Sequence, residues 1–558
     1  MGFKRFSEFF SRHTFPRGVV YNELMFHGTA HWVLFLMLLS NGQNLAATDE
    51  CAVLRYAWSV PSPGYSAGAL AVDTEGNWYR GGEYVGEVDF DPSDGVDIRT
   101  SITNDQGDLF VSKLGPNSEY YWTYSVGSPL SESAGDIAID PQGNVFVGGA
   151  FKGTLDFDPG PRVYELTIPP EYSFDGFIAK LTTDGTLLWA RDFWNSYSMS
   201  SVDGLALDRM GNIIIVGGAG TISFAKLTGD GQDIWNKHIS APGANEALDV
   251  GIGLDDEIFF LGKFRFTVDF DPGPGVDIHE ANVPPNFREP FLSKYYSDGS
   301  YAWTHDWPAG ITGFSRFSVT LDGGAVFTSS PPPDATVDMD PTAGVDLRTG
   351  PALFVTKINR DGSYAWTYSA SGDDSLGIAT QLLSDGSILT MGIFSNFSGP
   401  LMDFDPSDGV AIPECPINRN CTFLLNLDRD GRFRWIKSTS NSQSPNSALA
   451  VSKFGEVYYA NSYSYLGLAD VDPTCGVDFR EGPVGGSVIT KLSCITNPGD
   501  SDSDSDVDLL DLAQFQNCFR GAGSRSCSPG CDAFDLNPDN SLDLADYTVM
   551  STSVTGPG

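Results

Sequence analysis

Along most of the chain, apolar and polar residues alternate in short runs broken by turn residues. Phe354-Val355-Thr356-Lys357-Ile358 leads into Arg360-Asp361-Gly362 and then Tyr364-Ala365-Trp366-Thr367. A period of two sends successive side chains to opposite faces, and Asp-Gly supplies a tight turn, so this segment predicts a β-hairpin. A second hairpin precedes the first kind in the repeating unit: Ile137-Ala138-Ile139-Asp140, the turn Pro141-Gln142-Gly143-Asn144, then Val145-Phe146-Val147-Gly148-Gly149. It recurs at 70–82, 205–218 and 449–460. Two hairpins make one four-stranded blade.

The unit repeats at roughly 45–70 residues between Cys51 and Cys494, a period typical of propellers and related arrays. A tryptophan closes each unit: Trp58, Trp122, Trp189, Trp235, Trp303, Trp366 and Trp435. Six of them follow Leu114, Leu181, Leu227, Tyr295, Ile358 and Leu427 by eight residues. These segments resemble the bacterial β-propeller repeat family with an IAVD-x-x-GN-x-Y-x-x-G core, whose motifs are structural rather than catalytic. The resemblance covers most of residues 51–494 and implies a mainly β fold, a seven-bladed β-propeller over 48–496. The last unit stops at Val488-Ile489-Thr490-Lys491-Leu492-Ser493-Cys494 without its final tryptophan strand, and Arg55-Tyr56-Ala57-Trp58-Ser59 supplies that strand from the N-terminus. Counting back from Trp58 brings Cys51 beside Cys494, and a disulfide between them is expected to lock the ring. Cys415 and Cys421 flank a short loop and are expected to pair; the pairing of Cys475, Cys518, Cys527 and Cys531 stays open.

Composition fits this picture. At 558 residues the chain exceeds one ordinary core, and 62 Gly, 34 Pro and 12% aromatics favour strands and turns. A net charge of −39 argues against nucleic acid and anionic membranes as partners and favours cations. The first 47 residues read as an export signal: Lys4, Arg5, Arg12 and Arg17 precede the apolar run Trp32 to Leu39, with Leu45-Ala46-Ala47 for cleavage, and Met25 is an alternative start. Eight apolar residues are too few to span a bilayer. The mature protein is expected outside the cell or at its surface, with no transmembrane anchor.

The strongest chemical signal lies near the C-terminus. Two twelve-residue loops, 500–511 and 535–546, place oxygen ligands at positions 1, 3, 5, 9 and 12. These are Asp500, Asp502, Asp504, Asp508 and Asp511, then Asp535, Asn537, Asp539, Asp543 and Asp546. Calcium takes six to eight such oxygens. The pair, each followed by an apolar helix-like run, resembles a type I dockerin over residues 497–553, leaving 554–558 as a tail. That resemblance implies a small all-α domain folded around two Ca2+ ions that docks onto a cohesin-like or cell-surface protein, in an assembly acting on polysaccharide. Positions 10 and 11 carry Leu509, Leu510, Leu544 and Ala545 where dockerins often carry hydroxyls, so calcium binding is better supported than standard cohesin docking.

Six of the seven units carry an Asp-Phe-Asp-Pro signature, at 88–92, 155–159, 268–272, 337–341, 402–406 and 469–473, with Met339 and Val471 in the phenylalanine place of two of them, and most continue Gly-Val-Asp. Asp89, Asp91 and Asp97, like Asp269, Asp271 and Asp277, either converge on a metal ion or cap a turn ahead of Pro and Gly, the turn being the simpler reading. No catalytic set stands out. A glycosidase needs two carboxylates about 5–10 Å apart, and 72 acidic residues hide any such pair. His238, His279 and His305 lack metal-ligand spacing, and no nucleophile elbow or P-loop is visible. Trp194 and Trp307 are off-pattern and read as packing rather than sugar-stacking residues. The visible irregularities of the repeat are changes of loop length. The favoured expectation is a binding or scaffold protein; the alternatives are an O-glycosyl hydrolase or lyase and a surface adhesion protein.

Overall fold

The computed structural model describes the chain from 53 to 495 apart from short stretches, the longest at 282–287, 441–447 and 471–478. The export signal, both calcium-type loops, Cys51, Cys475, Cys518, Cys527 and Cys531 lie outside the described residues, all of which belong to the unit Leu45–Gly558.

Seven antiparallel four-stranded sheets form the body. In blade 1 the strands run from the centre outward as Ser66–Val72, Trp78–Tyr84, Asp108–Leu114 and Tyr120–Val126. Blades 2 to 6 repeat this order from Ser133, Val202, Glu246, Phe317 and Ser375. Each innermost strand neighbours that of the next blade, and the seventh, Leu449–Val451, returns to the first, so the ring is closed. The N-terminal strand Val53–Ser62 completes blade 7 by pairing with Ser487–Ile495, with Leu54 opposite Cys494. Inside this seam Ser59 Oγ and Thr490 Oγ1 share a buried hydrogen bond of 2.8 Å. Cys415 and Cys421 form a disulfide in blade 6.

The first turn of a blade is held by its aspartate. Asp140 Oδ1 accepts the amides of Gln142 (3.0 Å) and Asn144 (2.8 Å), while Oδ2 accepts Asn144 Nδ2 (2.8 Å). Asp73 and Asp208 do the same, which is the physical content of the Asp-x-x-Gly-Asn motif. The closing tryptophan acts on the neighbouring blade. A methyl group on Gly185 would lie 2.7 Å from Trp122 Cδ2, on Gly362 3.2 Å from Trp303 Cδ1, and on Gly431 2.6 Å from Trp366 Cε3. Each indole therefore lies flat on the Asp-Gly turn of the next blade, at a glycine whose φ is positive (81°, 88° and 79°). Gly362→Ala is expected to cost about 1–2 kcal/mol, from left-handed backbone strain plus the lost indole contact; urea unfolding checks this, and an unchanged midpoint would reject it.

A lysine on the third strand adds a second latch. Lys226 Nζ meets Asp208 at 2.8 Å and reaches Ser297 O of blade 4. Lys113, Lys180 and Lys294 likewise pair with an acid of their own blade and a turn of the next. Lys491 pairs with Glu456 at 2.7 Å and donates to Pro116 O of blade 1 at 2.9 Å, closing the circle. Blade 6 has Asn426 in this slot, and its Asp385 pairs with Arg434 instead.

Candidate functional site: the channel mouth and the insert face

In an antiparallel blade the two ordinary turns lie on one face, and the connections between second and third strands lie on the other. The inserts occupy that second face, together with the links leading into each innermost strand.

The five inserts whose turns are described each fold into a small braced hairpin. Asp89 Oδ1 accepts the amides of Asp91 (3.1 Å) and Asp97 (2.9 Å). Asp156, Asp269, Asp338 and Asp403 repeat this double acceptance. The second aspartate turns onto its own loop: Asp91 takes Ser93 N at 2.9 Å, and Asp271 takes Gly273 N at 2.7 Å. It curls over a glycine, so a methyl group at Gly95, Gly275, Gly344 or Gly409 would collide with the carboxylate of Asp91, Asp271, Asp340 or Asp405. The third carboxylate is held as well, Asp97 by Arg99 and Tyr120, Asp277 by His279 and Tyr301, Asp346 by Arg348 and Tyr364. Asp89, Asp91, Asp97, Asp269, Asp271 and Asp277 are thus turn-forming groups. Among the described residues no cluster of three or more His, Cys, Asp or Glu is placed to hold a metal ion.

The insert phenylalanine anchors the hairpin to its blade. Phe90 packs 5.1 Å from Tyr84 and 4.9 Å from Phe110; Phe157, Phe270 and Phe404 sit equivalently. Blade 5 uses Met339, whose carbonyl accepts Trp307 Nε1 at 3.2 Å. Trp307 is buried against Phe327 and offers no face to a sugar; Trp194 lies outside the described residues.

The channel mouth holds a group that the repeat pattern conceals. Arg316, just before the short innermost strand of blade 5, reaches across the ring. It donates to Gly68 O of blade 1 and Gly135 O of blade 2, both at 3.2 Å, and pairs with Asp136 (3.2 Å) and Asp249 (3.4 Å). Both aspartates follow a bulge in an innermost strand, and each also caps the next blade: Asp136 accepts Leu205 N at 2.9 Å, Asp249 accepts Phe317 N at 3.0 Å. The repeat therefore breaks inside its innermost strands as well as in loop length. The signal in the sequence was an aspartate where blade 1 has Ala69 and blade 6 has Ala379.

Burial sets the protonation here. It raises Asp249 to about 7 against the opposing charge of Arg316, with Asp136 adding to the rise. It raises Asp203 to about 6, opposed by the Ser201 hydroxyl and assisted by Glu246. On the same face Glu132, wholly buried and bonded to Ser128, is raised by burial to about 7. A carboxyl raised on folding penalises the fold fully above its folded value and less as pH falls. Glu132 and Asp249 therefore add stability as pH drops from about 7 towards their ordinary values of 4.5 and 3.8. Glu257 acts in the opposite sense. Burial raises it, but the Asp255 amide, Arg360 and Lys294 outweigh burial and hold it at about 2, so its contribution is lost between 4.5 and about 2. The denaturation midpoint is expected to be higher at pH 5 than at pH 8 and to fall by pH 2.5, with Glu132→Gln flattening the upper limb. A monotonic decline from pH 8 would reject these assignments.

The three described histidines do not gather: His279 lies between Asp277 and Asp306, and His305 hydrogen-bonds Gly362 O. No family model matches the chain. It is 22% identical over 477 aligned residues to the uncharacterised WD repeat-containing protein L264 of Acanthamoeba polyphaga mimivirus, covering 67% of this chain and 33% of that protein. The chain thus spans a third of that relative's length. Among solved structures it is similar to the Dos1 propeller (TM-score 0.38, 10% identity, 79% of this chain and 96% of that one). The Doa1 WD40 propeller domain gives 0.36 at 9% identity over 79% and 97%, and Pseudomonas brassicacearum lignostilbene dioxygenase gives 0.34 at 10% over 79% and 93%. The fold is shown by seven four-stranded sheets arranged in a closed ring. The chain is a seven-bladed β-propeller, similar in sequence to a WD-repeat protein.

Proposed function

We propose that this propeller is a binding scaffold, exported by its N-terminal segment and docked onto a partner protein through a calcium-dependent, dockerin-like tail. The observation that carries the scaffold reading is the insert face: five hairpins braced by the same aspartate and packed onto their blades present one surface built to be rigid. Pre-organisation of this kind favours binding, because little freedom is lost on association. The tail rests on the spacing of its ten oxygen ligands. Calorimetric titration of the full chain is expected to find two Ca2+ ions, lost on substituting Asp500, Asp504, Asp535 and Asp539 with alanine. No calcium uptake would sink the docking module, and about six further ions would return the inserts to the metal reading.

A second reading draws on the channel mouth. Asp203 and Asp249, both raised by burial, stand on adjacent innermost strands and are groups an O-glycosyl hydrolase would use. Release of reducing sugar from polysaccharides, abolished by Asp203→Asn, would establish it.

A further inference from the structure

At the tip of five inserts, among the described residues, a valine points into solvent. Val96, Val163, Val276, Val345 and Val410 are 70%, 72%, 70%, 71% and 75% exposed. Two residues on, Ile98, Ile278, Leu347 and Ile412 are exposed as well. Single exposed aliphatics are ordinary, but a valine at the same place in five blades is not explained by chance exposure. Nor do its neighbours explain it. The glycine before it becomes Arg162 in blade 2, and the aspartate after it becomes Tyr164 in blade 2 and Ala411 in blade 6, while the valine stays. The aspartates that brace the turn are shared by all five inserts, but the residues on either side of the valine vary, and the valine, which is too exposed to add packing, does not.

Resting on the scaffold reading, we infer that these valines are the contact points of a docking face for a cationic polypeptide with aliphatic side chains. Charge selects the partner. The blade 1 insert carries Glu87, Asp89, Asp91, Asp94 and Asp97 against Arg99, and the blade 6 insert carries Asp403, Asp405 and Asp408 with no cation between 402 and 412. With a net charge of −39, a second copy of the chain meets like charge and an anionic membrane is repelled. A sugar would call for aromatic platforms, and the tips offer aliphatic side chains. Lysine or arginine flanking small apolar groups matches both components, and repetition around the ring allows several weak contacts to act together.

The test uses the full chain and a nine-residue peptide of three Lys-Leu-Lys units, with a Lys-Ser-Lys peptide as control. In calorimetry the leucine peptide is expected to bind at least tenfold more weakly to the Val96→Ser/Val276→Ser/Val345→Ser variant than to the parent, while the serine peptide binds both alike. Matching circular dichroism melts show that the variant is folded. Equal leucine-peptide affinity for both proteins would overturn the proposal, reducing the face to charge attraction. So would sedimentation showing a parent dimer and a variant monomer, which would make the face a self-contact. Sugar release dependent on Asp203 would sink the scaffold reading whatever the peptide does, so the two failures are distinct.

Discussion

Arg316→Leu is expected to lower the unfolding free energy by about 3 kcal/mol at pH 8, near the bottom of the range for breaking a buried pair. The arginine side chain is 30% exposed, but its partners Asp249 and Asp136 are 9% and 13% exposed, so the cost falls on carboxylates that water reaches poorly. Two carbonyl contacts to blades 1 and 2 are lost as well, so the variant also loosens blade 5 from the far side of the ring. The loss is expected to shrink towards pH 5, because Asp249 already titrates near 7 and would become neutral without its guanidinium. Urea midpoints of parent and variant at both pH values check this. A loss independent of pH would show that Arg316 acts through packing and carbonyl contacts rather than through Asp249.

Lys226→Met is expected to cost about 3–4 kcal/mol by leaving Asp208 buried without its cation. The pair lies at 2.8 Å with side-chain exposures of 10% and 2%. Burial pushes Asp208 up, and it is held below its ordinary value by Lys226 together with Asn212. The double variant Lys226→Met/Asp208→Asn should recover much of the loss, since no charge remains buried and the asparagine oxygen can still accept the amides of Met210 and Asn212. Blade 6 is the natural precedent, with a neutral Asn426 in the lysine slot. A double variant no more stable than the lysine variant would mean that the turn, not the ion pair, sets the stability of this blade.

Much of the architecture is legible along the chain because it is made by neighbours. Alternating side chains and Asp-Gly turns specify hairpins locally, and the tryptophan period counts the blades. The missing last strand of the seventh unit pointed to its replacement, and Val53–Ser62 does fill that position. The insert was legible as a unit, and Phe90 and its equivalents pack onto their blades. Whether its carboxylates meet a metal or their own backbone depended on where Asp89 points, which a list of acidic residues does not contain.

By itself, then, the sequence determined what local periodicity and turn chemistry can specify: the blade strands, the hairpins, the number of blades, the split seventh blade and the insert as a recurring unit. Only the tertiary structure decided the contacts between residues far apart in the chain. Trp303 belongs to one blade and lies on Gly362 of the next, and Lys491 reaches Pro116 across the closure. Arg316 comes from the fifth blade, yet its partners lie in the first, second and fourth. The indole and lysine latches recur with the repeat, but which residue each side chain meets is set by how neighbouring blades pack. The Arg316 contacts, made at one place where the ring closes, leave no trace in periodicity.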